Sequence, residues 1–400
     1  MKTRKAVKAA FLVITLELRN FWIIYENVGR MYIMTSRLTH KERVLTALNH
    51  QEPDRVPRTA SFTPEFADRL RTHLNLQGDL FNPHGGIEHE LELKIGNDIL
   101  LTCQGFANSY YQSLEKEYID EWGIEWRIVE YDTKFGRGIY TEINRHPLSE
   151  DESLKTYIPP DSKSEKRYEL SKKLVEEYGK EYPIVGVIHC TIFETAWALR
   201  GFAKLMIDLI LNEDLANKIL DIPYEYHLYA GKKLAELGVD IIWTGDDVGG
   251  QNNMLMAPEM WRKYFKPRMA KLFGELKKIN PGLKIAYHSD GYINPILDDL
   301  VEIGLDILNP VQPKSMDPYL LKKRYGKNLS FFGTIDIQET LPFGTKEDIE
   351  NEVKERIRNL APGGGFVIAP THHVQIDTSL ENFYTFWNYV ERYGTYPINI

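Results

Sequence analysis

Apolar runs of four to seven residues alternate with longer stretches whose apolar positions recur every three or four residues, and this alternation begins near Met34. The runs predict eight strands, at about 56–62, 97–103, 183–189, 239–245, 284–289, 305–309, 329–334 and 366–370. Helical spacing fills most of the gaps. It is seen over 164–178, over 204–236, over 258–279 with Met260, Tyr264, Phe265 and Leu272, and again over 293–303, 317–325 and 346–360. Thr39-His40-Lys41-Glu42 reads as a capping box, with Val44, Leu45 and Leu48 following at helical spacing. Strand alternating with helix predicts a parallel sheet, and eight repeats predict an α/β fold closed into a (β/α)8 TIM barrel. An open doubly wound sheet would carry a glycine-rich phosphate turn after an early strand. Gly363-Gly364-Gly365 instead precedes its strand and reads as a turn at the barrel bottom.

One interval departs from the alternation. Residues 105–146 hold Trp122-Gly123-Ile124-Glu125-Trp126, then Gly136 and Gly138, then Ile139-Tyr140-Thr141, which is a β-hairpin pattern. It predicts an insertion after the second strand, within a single barrel domain over 34–400. Residues 1–33 are patterned differently: Lys2, Arg4, Lys5 and Lys8 precede the apolar run Phe11–Leu16, which Glu17 and Arg19 end. That run is too short to span a bilayer and has no small-residue cleavage site, so the stretch is expected to be a loose extension or an upstream start.

Composition narrows the function classes. The formal charge of −8 and the absence of a basic block argue against nucleic acid or an anionic membrane as partner. Cys103 and Cys190 stand far apart in apolar contexts, so neither a disulfide framework nor a cysteine zinc motif is available, and a cytoplasmic enzyme is expected.

Chemistry gathers where the strands end. In order these ends offer His189 with Glu194, Asp246-Asp247, His288 with Asp290, Asn309 with Gln312, Asp336 with Gln338, and His372-His373. In a barrel such positions converge on one mouth. His288 and Asp290, two apart on an extended segment, face the same way, and a histidine from the last strand would complete an imidazole–carboxylate set suited to a catalytic metal. Of His372 and His373, adjacent residues on an extended segment, one is expected to point inward.

Several segments resemble the uroporphyrinogen decarboxylase superfamily: Pro53-Asp54-Arg55-Val56-Pro57, Gly304-Leu305-Asp306-Ile307-Leu308-Asn309-Pro310-Val311-Gln312, Phe332-Gly333-Thr334-Ile335-Asp336 and Leu380-Glu381-Asn382. The resemblance runs over about 37–395 and implies a (β/α)8 barrel. The superfamily includes tetrapyrrole decarboxylases and corrinoid-linked methyltransferases. Arg58-Thr59-Ala60-Ser61-Phe62-Thr63 stands where the decarboxylases resemble Arg-Gln-Ala-Gly-Arg-Tyr, and it lacks the paired arginines that would neutralise an octacarboxylate. The methyltransferases carry zinc on His-x-Cys and a later Cys. His288, Asp290 and His372 match those positions with harder donors, and His372 also matches a decarboxylase histidine. Phe193-Glu194-Thr195-Ala196-Trp197 and Asp246-Asp247-Val248-Gly249-Gly250-Gln251 resemble a microbial subgroup of the superfamily.

The expectation is thus a metal-assisted methyltransferase acting between a small methylated substrate and a corrinoid protein. His288, Asp290 and His372 would hold Zn2+, Glu194 and Asp247 would be catalytic, and Asp246, Asn309, Gln312, Asp336 and Gln338 would bind substrate. The corrinoid would sit on a partner, since no Asp-x-His-x-x-Gly segment occurs here. A porphyrin-pathway decarboxylase and a non-catalytic barrel that binds a tetrapyrrole or a corrinoid protein are the alternatives, and a homodimer is compatible with all three.

Overall fold

The computed structural model describes residues 38–76, 89–113 and 115–400, together with two strands near the N-terminus. Those strands, β1 (Phe21–Tyr25) and β2 (Met31–Thr35), pair antiparallel within a unit spanning Met1–Thr39. The apolar run Phe11–Leu16 lies outside the described residues. The second unit, His40–Ile400, opens on a helix at His40–Leu48.

This larger unit is built on a curled parallel sheet. Its strands are β3 (Leu100–Cys103), β7 (Ile184–Val187), β8 (Ile241–Gly245), β9 (Lys284–His288), β10 (Ile307–Asn309), β11 (Ser330–Ile335) and β12 (Phe366–Pro370). Taken in that order, neighbouring strands of the seven pair in parallel, from β3 at one edge to β12 at the other. Every residue of β7, β11 and β12 is buried, as expected of strands covered on both faces. Between β3 and β7 the chain forms a separate antiparallel sheet of β4 (Glu117–Ile119), β5 (Glu125–Thr133) and β6 (Gly136–Arg145).

The strand expected at 56–62 is not a regular strand. Arg58 and Phe62 make only isolated parallel bridges to Ile368 and Val374. Side chains have replaced the ladder: the Asn97 amide bonds both the N–H and the C=O of Ala60, and Asp98 Oδ2 accepts the Arg58 amide at 2.8 Å. Pro57, which has no N–H, contributes only its carbonyl, to Ile368 N at 3.0 Å. The segment still bonds on two sides, with Thr59 N donating to Ile368 O and Asp98 N to Arg58 O.

Asp98 also explains the Pro-Asp-Arg-Val-Pro segment. Its fully buried carboxylate receives Arg43, His40 and both terminal nitrogens of Arg55, while Asp54 takes Arg43 through two bonds of 2.7 and 2.8 Å. These contacts hold the carboxyl down to about 2, because the paired and hydrogen-bonded anion outweighs the cost of burying it. The expected helices at 204–236 and 258–279 are each divided, into Phe202–Leu211 with Glu213–Leu237 and Pro258–Tyr264 with Lys266–Ile279. Asn212, with φ −133° and ψ 61°, breaks the first. Among the described residues no helix is long and apolar enough to cross a membrane.

Candidate active site

The site is assembled where β8 and β9 end side by side, with Gly245 in register with His288. Gly245 has φ +135°, and a Cβ there would fall 2.1 Å from the backbone oxygen of His288. Glycine therefore permits the close approach of the two strand ends. The loops beyond them interlock, since Asp290 N donates to Asp247 Oδ1 at 2.8 Å and Val248 N to Ser289 Oγ at 3.1 Å.

This arrangement gathers Asp247, His288 and Asp290, each offering one ligand atom within 4.8 Å of the others. His288 Nε2 is 3.7 Å from Asp247 Oδ1 and 3.9 Å from Asp290 Oδ1. Its other nitrogen, Nδ1, lies 2.6 Å from Asn309 Oδ1, and the Asn309 amide nitrogen donates to Phe332 O at 3.0 Å. With the amide oriented in that way, Nδ1 carries a proton and donates to Asn309, which leaves Nε2 facing the carboxylates. Asp290 Oδ1 is buried without a hydrogen-bond partner. Burial lifts its carboxyl above the usual range, against the opposing charge of His372. An orphaned oxygen, a second carboxylate and an aimed imidazole lone pair fit a hard or borderline divalent cation.

His372, expected as the third ligand, stands outside this 4.8 Å group, and Asp247 stands within it. Its ring centroid is 6.1 Å from that of His288, and it faces Asp290 at charge-coupling range. Both His372 and His373 line the cavity, contrary to the expectation of one, because β12 has already ended at Pro370 and the following turn is not extended. His373 Nδ1 bonds Ser61 Oγ at 2.7 Å.

Glu194 begins the helix Phe193–Arg200, and its Oε2 accepts the Asp247 amide at 3.0 Å. Burial first, then the charges of Asp247 and Asp246, push its carboxyl well above the carboxylate range and so favour its protonated form. Behind it the Cys190 thiol contacts both Glu194 and the buried Tyr110 hydroxyl. Sequence reasoning missed Cys190 and Tyr110, which occur in a loop and in the interval read as an insertion and have no strand-end signature.

The residues expected to bind substrate divide by what they touch. Both oxygens of Asp246 accept the Ile192 amide, and one also accepts the Glu194 amide, so it holds the start of the Glu194 helix; burial raises its carboxyl to about 7. Gln312 Oε1 accepts the Gly291 amide at 2.8 Å and fixes the turn after His288. Asn309 lines the cavity but has both amide atoms engaged. Asp336 accepts the amides of Gln338, Glu339 and Thr340, and Gln338 is exposed; neither lines the cavity.

The cavity below has apolar walls, among them Leu101, Val187, Trp243 and Phe332, and a polar rim of His189, His288, His372 and His373. Among the described residues no lysine or arginine lines it. The sequence reading also missed His89 and Glu92, which line it from the segment before β3. In sequence they look like polar positions of a short amphipathic helix.

Comparison with known proteins gives this geometry a context. Over 235 residues the chain is 26% identical to the methylcobamide:CoM methyltransferase MtbA of Methanosarcina acetivorans, covering 57% of this chain and 66% of that protein. MtbA of Methanosarcina mazei is 26% identical over 186 residues, covering 46% and 52%. The matched stretch is thus between about half and just under two thirds of these relatives' length. A solved methyltransferase from Methanosarcina mazei superposes with a TM-score of 0.64 at 22% identity, over 89% of this chain and 99% of that one, and so shares the fold. The uroporphyrinogen decarboxylase (URO-D) family model matches residues 129–393, and the chain belongs to that family.

Proposed function

We propose that this protein is a methyltransferase that moves a methyl group between a heteroatom of a small substrate and a corrinoid carried by a separate protein. The observation that carries this reading over tetrapyrrole decarboxylation is the cavity wall: its titratable groups are histidines and Glu92, with Asp247 and Asp290 against His288, and no lysine or arginine among the described residues lines it. A substrate with eight carboxylates would lose its hydration there without gaining counter-charges. The names of the MtbA relatives support the methyl-transfer kind and the corrinoid partner. The bonds that residues 57–60 make to Ile368 and Asp98 support closure of the sheet into a full barrel, with the antiparallel β4–β6 sheet as its insertion.

In this reading Asp247, His288 and Asp290 hold a zinc-like cation, with His372 beside them. Such an ion, when bound, supplies Lewis acidity to the heteroatom that carries the methyl group. The chain's own part is positional and protonic. Asn309 keeps the Nε2 lone pair of His288 on the site, and Gln312 holds the turn that carries Asp290. Burial favours the protonated form of the Glu194 carboxyl next to Asp247, a group that can give a proton to a heteroatom or take one from it. The apolar wall of Trp243 and Phe332 excludes water from the methyl group.

The test is elemental analysis of protein purified without chelator or affinity-tag metal, followed by methyl-transfer assays with a supplied corrinoid protein. About one equivalent of metal and metal-dependent transfer are expected. Metal-free protein that decarboxylates uroporphyrinogen would overturn the proposal.

A further inference from the structure

The cavity contains a second polar cluster that the metal group does not use. His89 and Glu92, three residues apart at the start of the helix Glu90–Ile95, both line it. His89 is 7% exposed and its Nδ1 has no hydrogen-bond partner, and Glu92 Oε2 is buried with none. Asn97, next to them, is fully engaged by the backbone of Ala60. Two buried, unsatisfied acceptors pointing into one apolar cavity cost stability unless a ligand satisfies them.

We propose that this end of the cavity is a subsite for a protonated amine, so that the substrate is a small organic cation bearing N–H groups. The proposal rests on the reading of the same cavity as the substrate pocket. An ammonium group offers several N–H donors, enough for Glu92 Oε2 and His89 Nδ1 together; burial pushes the Glu92 carboxyl up to about 7, and a cation beside it favours the ionised form, which makes the bond charge-assisted. A hydroxyl has one hydrogen and leaves one acceptor unpaired. A carboxylate would meet two acceptors, one of them itself a carboxylate, whose charge the nearby Arg71 already offsets in part. Trp243 and Phe332, packed edge to face at 4.8 Å, line the same space and present aromatic surface compatible with a cation.

The experiment uses four probes of matched chain length, n-butylammonium, n-butyramide, n-butanol and butyrate, titrated by NMR into the full chain with and without added zinc. n-Butylammonium is expected to bind at least about tenfold more tightly than the other three. Glu92→Gln should abolish this preference while leaving n-butanol affinity and metal content unchanged. His89→Gln, the second variant should the first not fold, should weaken n-butylammonium binding alone. Equal affinity for all four probes, a preference for butyrate or butyramide, or an ammonium preference that survives both substitutions would overturn the subsite. Because the readout is binding, a protein that binds n-butylammonium but fails to transfer methyl groups refutes the proposed reaction and not the subsite. Methyl transfer without any ammonium preference refutes the subsite alone.

Discussion

His288 Nδ1 and Asn309 Oδ1 lie 2.6 Å apart, joining the ends of two neighbouring strands, and this bond decides which imidazole nitrogen faces Asp247 and Asp290. Such a partner both fixes the tautomer and raises the basicity of the ligating nitrogen.

Asn309→Ala should therefore keep the fold, checked by circular dichroism, and weaken metal affinity by roughly 10- to 100-fold. His288→Ala should release most of the metal. Competition with a chelator of known affinity separates the two variants. Equal affinity in Asn309→Ala and the parent would sink the role given to Asn309.

Glu194→Gln replaces a carboxyl whose protonated form burial favours with an amide of the same shape. Metal content and melting temperature should stay near those of the parent, while turnover falls by about 100-fold or more if the proton on Glu194 is used. A variant that transfers methyl groups at the parental rate would remove Glu194 from the mechanism.

Gly245→Ala would force a Cβ into the backbone of His288, 2.1 Å from its oxygen. The strand ends must then part, so a loss of at least about 2 kcal/mol in urea unfolding is expected, together with weaker metal binding. Retention of both properties would show that β8 and β9 tolerate a wider separation.

The Asp98 cluster predicts an acid limit. Its carboxyl titrates at about 2 in the folded chain, below its ordinary 3.8, so the folded state binds this proton less readily than the unfolded state does. The stabilisation, about 2 kcal/mol, is complete above pH ~4 and is lost as the pH falls towards ~2. Asp98→Asn should flatten that part of the stability–pH curve. It should also destabilise the chain by roughly 3–5 kcal/mol at neutral pH, because it leaves Arg43 and Arg55 short of a counter-charge.

The compact unit beginning at His40 suggests that a chain begun at Met34 keeps its stability, with a melting temperature within about 2 °C of the full chain. A larger fall in a thermal scan would show that the extension contributes to the fold.

The sequence alone determined the strand–helix alternation, because burial on both faces leaves continuous apolar runs such as Phe366–Pro370 that periodicity reads directly. It also singled out His288, Asp290, Asp247 and Glu194, which the structure brings close together, because strand ends are where polar side chains can leave the sheet. Only the tertiary structure decided what those groups do. Asp246 and Asp247 are adjacent in sequence, yet the first is taken up by the amides of Ile192 and Glu194 and the second stands with His288 and Asp290. That difference depends on which loop each meets. The segment 56–62 has the apolar pattern of a strand but gives its backbone bonds to Asn97 and Asp98, partners that no local pattern discloses. His89 and Glu92 likewise acquire meaning only by burial, since a polar side chain is unremarkable in sequence and becomes chemically demanding once water and partners are withdrawn.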